Sequence, residues 1–220
     1  MRRRVTFMRP PAGSITTILF DWDGTLIDSA RMGFVAFTKM FSDLGLDFDR
    51  EVYERIYSPN WYSMYEALGL AKEKWRQADD LWILHYGKEP PSLVEGGRRT
   101  IEELCRRGYG LGVVSSGSES RVLREIRTLE LLSTFQVVIC NEDTVNKKPH
   151  PEGLHRAMKA LRKGPESCCY VGDSPEDIEM GKQAKLLTVG VRSAYPGSKR
   201  LAGAAPDICV ESVLELLEHF

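Results

Sequence analysis

Two aspartates one residue apart, Asp21 and Asp23, close an apolar run in "ILFDWDGTLIDS". A carboxylate at the mouth of a buried strand is costly unless something neutralises or uses it. Three further stretches carry complementary groups: "SSGS" with Ser115 and Ser116, "NKKPHPE" with Lys147 and Lys148, and "GDSPED" with Asp173 and Asp177. Four acids near each other repel unless a cation joins them. An all-oxygen set without His or Cys suits Mg²⁺. The Ser115 hydroxyl, nearby backbone N–H groups and the Lys148 ammonium suit a phosphate dianion. One carboxylate can attack phosphorus and form an acyl phosphate. A second, two residues on, can protonate the leaving oxygen and then deprotonate the attacking water.

These groups converge only if a particular architecture carries them. "SITTILF" (14–20) is a β-branched apolar strand. From Ala30 to Leu44, Phe34, Phe37, Met40, Phe41 and Leu44 recur at helical spacing, and Gly45 is a stop signal. Residues 49–86 read as helix in pieces, broken at Ser58-Pro59-Asn60 and at Gly69, and "GKEPPSLVEGG" (87–97) reads as a turn-rich hinge. Beyond it, helices at 98–107, 119–131, 151–163 and 175–184 alternate with strands at 110–114, 135–140, 168–172 and 186–191. A final helix is expected near 211–219. This alternation predicts an α/β fold: a Rossmann-like parallel sheet core with right-handed crossovers and an inserted small α-helical cap domain. The expected division is a mobile basic tail at 1–14, a core of 15–28 plus 92–220, and a helical cap at 29–91. Parallel sheets bind ligands beyond the carboxyl ends of their strands, where all four stretches fall.

D-x-D-G-T after an apolar strand, a Ser after the second strand, Lys-Pro downstream and then G-D-x-x-x-D resemble, in that order, the four motifs of the haloacid dehalogenase superfamily. The likeness runs from about Ile15 onward and is greatest to the phosphoglycolate-phosphatase-like branch, in which a helical cap follows the first motif. The resemblance implies Asp21 as nucleophile and Asp23 as general acid/base. It implies that Ser115 binds the transferred phosphoryl group and that Lys148, which directly precedes Pro149, orients Asp21. Mg²⁺ would be held by the Asp21 carboxylate, the Asp23 backbone carbonyl and Asp173, with Asp177 behind them or as an alternate ligand. Dehalogenases of the superfamily lack an acid at the position of Asp23, so phosphate chemistry is implied. Trp22 departs from the usual small aliphatic residue between the two acids and is expected to stay clear of the chemistry.

The substrate end is less legible. Eight of the chain's twenty aromatic residues lie within 53–86, and a small helical lid needs bulky residues simply to have a core. "SPNWY" is the exception, a loop expected to face the active site, with Asn60, Trp61, Ser115, Ser116 and Lys148 as substrate-binding candidates. The expected activity is hydrolysis of a small-metabolite phosphomonoester, phosphoglycolate-like or a sugar phosphate. A phosphomutase, a nucleotidase and a non-catalytic binding protein on the same scaffold stay open as alternatives.

The bulk properties agree with a small-metabolite enzyme. Thirty basic and thirty-one acidic residues give a net charge of −1, no global field for nucleic acid or membrane. The basic start "MRRRVTFMRPPAGS" resembles a signal peptide only superficially, because its apolar stretch is short and broken by Pro10-Pro11. Five cysteines without a C-x-x-C pair point to thiols in a reducing, cytoplasmic setting. The expected partner is a small phosphorylated metabolite, and the expected state a monomer or homodimer.

Overall fold

The computed structural model describes residues 15–87 and 90–220. The basic segment expected as a mobile tail lies outside them. Strands β1 (Thr17–Phe20), β2 (Gly110–Val114), β3 (Phe135–Ile139), β4 (Cys168–Gly172), β5 (Leu187–Val191) and β6 (Ile208–Val210) form one parallel sheet in the order β3-β2-β1-β4-β5-β6. β1 is central and all four of its residues are buried. That is why it reads as an unbroken apolar run rather than an alternating one.

Between β1 and β2 the chain passes through α1 (Ala30–Asp43), α2 (Arg50–Ile56), α3 (Trp61–Ala67) and α4 (Trp75–Tyr86), and then α5 (Gly97–Arg106). The crossovers that follow carry α6 (Glu119–Thr128), α7 (Glu152–Leu161) and α8 (Pro175–Gln183). Two apolar layers flank the sheet, and the period of two sorts each strand between them. Ile18 and Phe20 pack with Ile101 and Leu104 of α5 and with Val122 and Ile126 of α6. Leu19 packs on the other face with Leu154 and Met158 of α7 and Met180 of α8. Cys169 and Cys168 likewise point to opposite layers, and both thiols are free.

Helices α1 to α4 form the inserted cap and have a core of their own, including Phe37, Phe41, Tyr53, Tyr65 and Trp82. The Phe37 ring of α1 lies 5.6 Å from the Trp82 ring of α4. Gly45 ends α1 with φ +75, and Leu46 N–H then returns to the Phe41 carbonyl at 2.9 Å, the C-terminal closure that glycine favours. Asp49 opens α2, its side chain accepting from Val52 N–H at 2.8 Å. Most of the cap aromatics are therefore its packing, as the lid-core reading anticipates. Two antiparallel connections join cap to core: Asp28 N–H donates to Ser92 O and Val94 N–H to Leu26 O, both at 2.9 Å, and Ile27 bridges Leu93.

The C-terminal expectation changes. Residues Ile208–Val210 add a sixth strand that the pattern at 186–219 did not announce, because three residues on a sheet edge carry too little periodicity. The helix expected near 211–219 is a short 3₁₀ helix, Val213–Glu218. Its buried residues, Val213 and Leu216, are three apart, the spacing of a 3₁₀ turn. No helix among the described residues is long and apolar enough to cross a membrane.

Candidate active site

Asp21 leaves β1 with its N–H still bonded to the Val171 carbonyl of β4 at 2.8 Å, so the sheet itself aims the carboxyl. The chain then turns sharply. Gly24 has φ +81, a left-handed conformation that glycine adopts without penalty, and its N–H returns to Ile27 O at 2.9 Å. A Cβ at this glycine would sit 2.5 Å from Asp173 Oδ2, so the turn also leaves room for the Asp173 side chain.

Asp21, Ser115, Lys148, Asp173 and Asp177 are all buried at this sheet edge. Lys148 Nζ donates to Asp21 Oδ1 at 2.5 Å and to Asp177 Oδ1 at 2.7 Å. Lys147 turns away, donating to the Asn141 and Thr144 carbonyls at 2.6 and 2.7 Å, so of the two adjacent lysines only Lys148 meets the acids. Asp177 sits in the first turn of α8, in a capping box with Ser174 and with Pro175 at the first helical position. Its Oδ2 accepts from Ser174 N–H and Oγ at 3.1 and 2.6 Å, and its Oδ1 also accepts from the Tyr170 hydroxyl at 3.0 Å. Both oxygens of Asp177 are thereby committed to holding Lys148 and the start of α8. Asp173 accepts from the Ser193 hydroxyl.

The electrostatics follow from burial. Desolvation pushes the Asp21 carboxyl up to about 7 against the pull of Lys148. Burial, with Asp21 and Asp177 nearby, holds Asp173 well above the carboxylate range. Burial works against the Lys148 ammonium, but Asp177 and Asp21 more than offset it and hold its pKa high. Burial would raise Asp23 too, yet the Arg121 guanidinium overrides it and keeps Asp23 below the ordinary carboxylate value. Carboxyl oxygens of Asp21, Asp173 and Asp177 lie within 4.8 Å of one another. Opposed ligands of a Mg²⁺ ion stand about 4.2 Å apart, twice its bond length of about 2.1 Å, so this hard-oxygen cluster fits a small divalent cation. Asp21 and Asp173 are the better donors, since Asp177 is occupied by its hydrogen bonds.

A cavity of about 50 Å³ opens above these groups, with Asp21, Asp23 and Asp173 from the core and Tyr57, Trp61 and Trp82 from the cap. Ser116 also lines it. Ser115 lines a smaller adjoining space with Lys148, and its Oγ accepts from Gly117 N–H at 2.9 Å. In the "SPNWY" loop, Ser58, Pro59 and Trp61 reach the cavity wall. Asn60 does not; it stands at the N-terminus of α3, its N–H bonded to Ser58 Oγ at 3.2 Å.

Three residues that sequence reasoning passed over complete the site. Arg121 of α6 pairs with Asp23 through both terminal nitrogens, at 3.0 and 2.5 Å, and Glu125 pairs with Arg121 at 3.1 Å. Trp22 Nε1 donates to Glu125 Oε2 at 2.7 Å. Trp22 makes no contact with the Asp23 carboxylate itself; two residues, Glu125 and Arg121, separate its indole from it. Tyr195, also unforeseen, stacks on Tyr57 of the cap at 5.1 Å and meets the Ser29 hydroxyl at 2.9 Å.

Comparison with known proteins agrees with this geometry. Residues 18–191 match the haloacid dehalogenase-like hydrolase family. The chain is 33% identical over 217 residues to the pyrophosphatase PpaX of Listeria monocytogenes serotype 4b, covering 93% of this chain and 96% of that protein. Among solved structures it superposes on CbbY of Rhodobacter sphaeroides in complex with phosphate (TM-score 0.78, 25% identity, 92% of this chain and 96% of that one). It has the same fold as a protein of Haemophilus somnus described as a predicted phosphoglycolate phosphatase (TM-score 0.80, 20% identity, 94% and 98% of the two chains).

Proposed function

The chain belongs to the haloacid dehalogenase-like hydrolases, and from that footing we propose that it is a Mg²⁺-dependent phosphatase acting on a small phosphorylated metabolite through a phosphoaspartate at Asp21. The observation that carries this reading is the Lys148 ammonium 2.5 Å from Asp21 Oδ1, with Asp23 beside Asp21 in the same cavity. Lys148 holds the Asp21 carboxylate in one orientation and offsets the charge of an approaching phosphate. Asp21 attacks phosphorus, and Asp23 protonates the leaving oxygen and then takes a proton from the water that hydrolyses the acyl phosphate. Ser115 and Ser116 offer hydroxyls to the phosphoryl oxygens. Asp21, Asp173 and the Asp23 backbone carbonyl would hold the ion, which when bound neutralises phosphoryl charge and draws the anionic groups together. Asp177 serves as the anchor of Lys148.

In this reading residues 29–91 act as a cap that closes on the connections at Asp28-Ser29 and Pro90-Pro91-Ser92, with Trp61, at the start of α3, meeting substrate. The cavity size limits what fits. One water takes about 10–15 Å³ by the same measure, so about 50 Å³ accommodates roughly four waters, or one phosphoryl group and a small remainder. A compact phosphate ester such as phosphoglycolate suits that space better than a nucleotide or phosphopeptide. A second reading, hydrolysis of inorganic pyrophosphate, is favoured by the relatives of that activity that span nearly the whole chain.

Phosphate release measured over pyrophosphate, phosphoglycolate, a hexose phosphate, a nucleoside monophosphate and a phosphopeptide tests both. Mg²⁺-dependent turnover, fastest on one of the two smallest compounds and abolished by EDTA, is the expected result. Undiminished release in excess EDTA, or a phosphopeptide outperforming every small compound, refutes the proposal.

A further inference from the structure

Asp23 is oriented from outside the turn that carries it. Arg121 Nη1 donates to its Oδ1 at 3.0 Å and Nη2 to its Oδ2 at 2.5 Å, a two-pronged contact that fixes both position and plane of the carboxylate. Arg121 is itself held. Its Nη1 also meets Glu125 Oε2 at 3.1 Å, one helical turn along α6, and that same oxygen accepts from Trp22 Nε1 at 2.7 Å. Trp22 precedes Asp23 in the chain, so the contacts close into a ring: Asp23, Arg121, Glu125, Trp22 and back through one peptide bond. Arg121 is 2% exposed and Glu125 is 1% exposed. The rings of Trp82 and Tyr86 cover the guanidinium from the cap side, 5.5 and 5.1 Å away, and keep water from it.

A buried ion cluster of this kind is a poor device for stability, because apolar replacements of similar volume are often as stable. What it does supply is a single orientation for a carboxylate whose side chain, a quarter exposed, borders the cavity. We propose that Trp22, Glu125 and Arg121 are positioning residues that fix the Asp23 carboxylate for proton transfer, Trp22 acting through Glu125 and Arg121. The inference rests on the reading of Asp23 as general acid/base. It explains a tryptophan between the two acids: a small aliphatic side chain has no N–H with which to hold Glu125.

The test uses two small probes that differ in their need for a proton. Acetate leaves acetyl phosphate without one, whereas the alkoxide of phosphoglycolate requires one. In Trp22→Phe, Glu125→Gln and Arg121→Lys, kcat/KM on phosphoglycolate is expected to fall, by about 5-fold for the first and at least about 30-fold for the last, within the range of acid–base catalysis. On acetyl phosphate kcat/KM should change less than about twofold, while the phosphoenzyme accumulates because Asp23 must also activate water. Equal losses on both probes indicate a structural role and overturn the proposal. A change confined to KM in Arg121→Lys makes Arg121 a substrate contact and also overturns it. Crystal structures of Trp22→Phe and Glu125→Gln provide a readout independent of turnover: the Asp23–Arg121 pair should shift or split. An unmoved pair overturns the proposal whatever the kinetics. If the wild-type protein releases phosphate from neither probe, the phosphatase reading fails, and the two variant structures still decide whether this ring positions Asp23.

Discussion

Replacing Lys148 with methionine keeps the length of the side chain and removes the charge that two buried carboxylates share. The ammonium stands 2.5 Å from Asp21 Oδ1 and 2.7 Å from Asp177 Oδ1, and the Lys148 side chain is 5% exposed. Removing one partner of a buried ion pair costs about 3–5 kcal/mol, because the remaining charge has neither water nor a counter-charge. Protonation is the escape, and it makes the loss depend on pH. Burial already raises Asp21 from 3.8 to about 7 while Lys148 pulls it down, so without the lysine the carboxyl moves higher still. A carboxyl raised in the folded state costs stability as pH climbs above its unfolded value, and the cost stops growing once the folded pKa is passed. In the wild type that growth ends near pH 7; in Lys148→Met it continues above. Lys148 itself, with its pKa raised in the folded protein, stays charged below its unfolded value of 10.5 and leaves this window unchanged. At about 2–4 °C per kcal/mol for a chain of this size, the variant should melt about 6–20 °C below wild type at pH 8.5. The gap should be clearly smaller at pH 6. Circular-dichroism melts in EDTA at the two pH values decide it. Equal deficits, or one under about 2 °C at pH 8.5, refute the charge balance drawn from these contacts.

Three further outcomes are expected. Asp21→Asn should fold yet lose phosphate release by at least about 10³-fold, since the amide is a poor nucleophile and a poor cation ligand; turnover near wild type rules out attack by Asp21. Gly24→Ala forces a side chain into a φ of +81 with its Cβ 2.5 Å from Asp173 Oδ2 and 2.6 Å from the Tyr195 ring. The left-handed backbone costs about 1–2 kcal/mol and the overpacking about 1–3 kcal/mol, so calorimetry should show a lowered Tm, and Mg²⁺ titration a weakened response. Asp79 in the cap, which accepts from the Tyr65 and Tyr62 hydroxyls at 3.0 and 3.3 Å, is raised by burial from 3.8 to about 6. Its charge therefore costs stability that grows as pH rises from about 4 to about 6 and stays constant above. Asp79→Asn should gain about 1 kcal/mol at pH 7.5 after discounting for solvent screening, and nothing near pH 4, as paired melts will show.

The sheet and the acids at its edge were legible for one physical reason. A strand buried on both faces reads as an apolar run, and polar chemistry can begin only where that run ends. Thr17–Phe20 ends at Asp21 and Cys168–Gly172 at Asp173, and the alternation of the strands with helices dictates that both ends lie on one edge. β6 was illegible because three residues pairing with β5 alone need little apolar pattern. Asn60 and Trp61 adjoin in sequence, but the start of α3 sends only Trp61 to the cavity.

Arg121 and Glu125 show where reading a sequence by spacing misleads. An arginine and a glutamate four residues apart on a helix ordinarily mark a solvated face. Here they alternate with Val122 and Ile126, and a helical period of 3.6 puts all four on the side that packs against the sheet. Two charges on an apolar stripe are therefore a signal that burial demands partners. The partners lie far off in sequence, at Asp23 and Trp22, beyond anything that local periodicity reports. The departure at Trp22 and the misplaced pair on α6 look like two separate irregularities in the sequence. The fold makes them a single feature, because the indole N–H that a small aliphatic residue would lack is what holds Glu125 beside Arg121, and Arg121 beside Asp23.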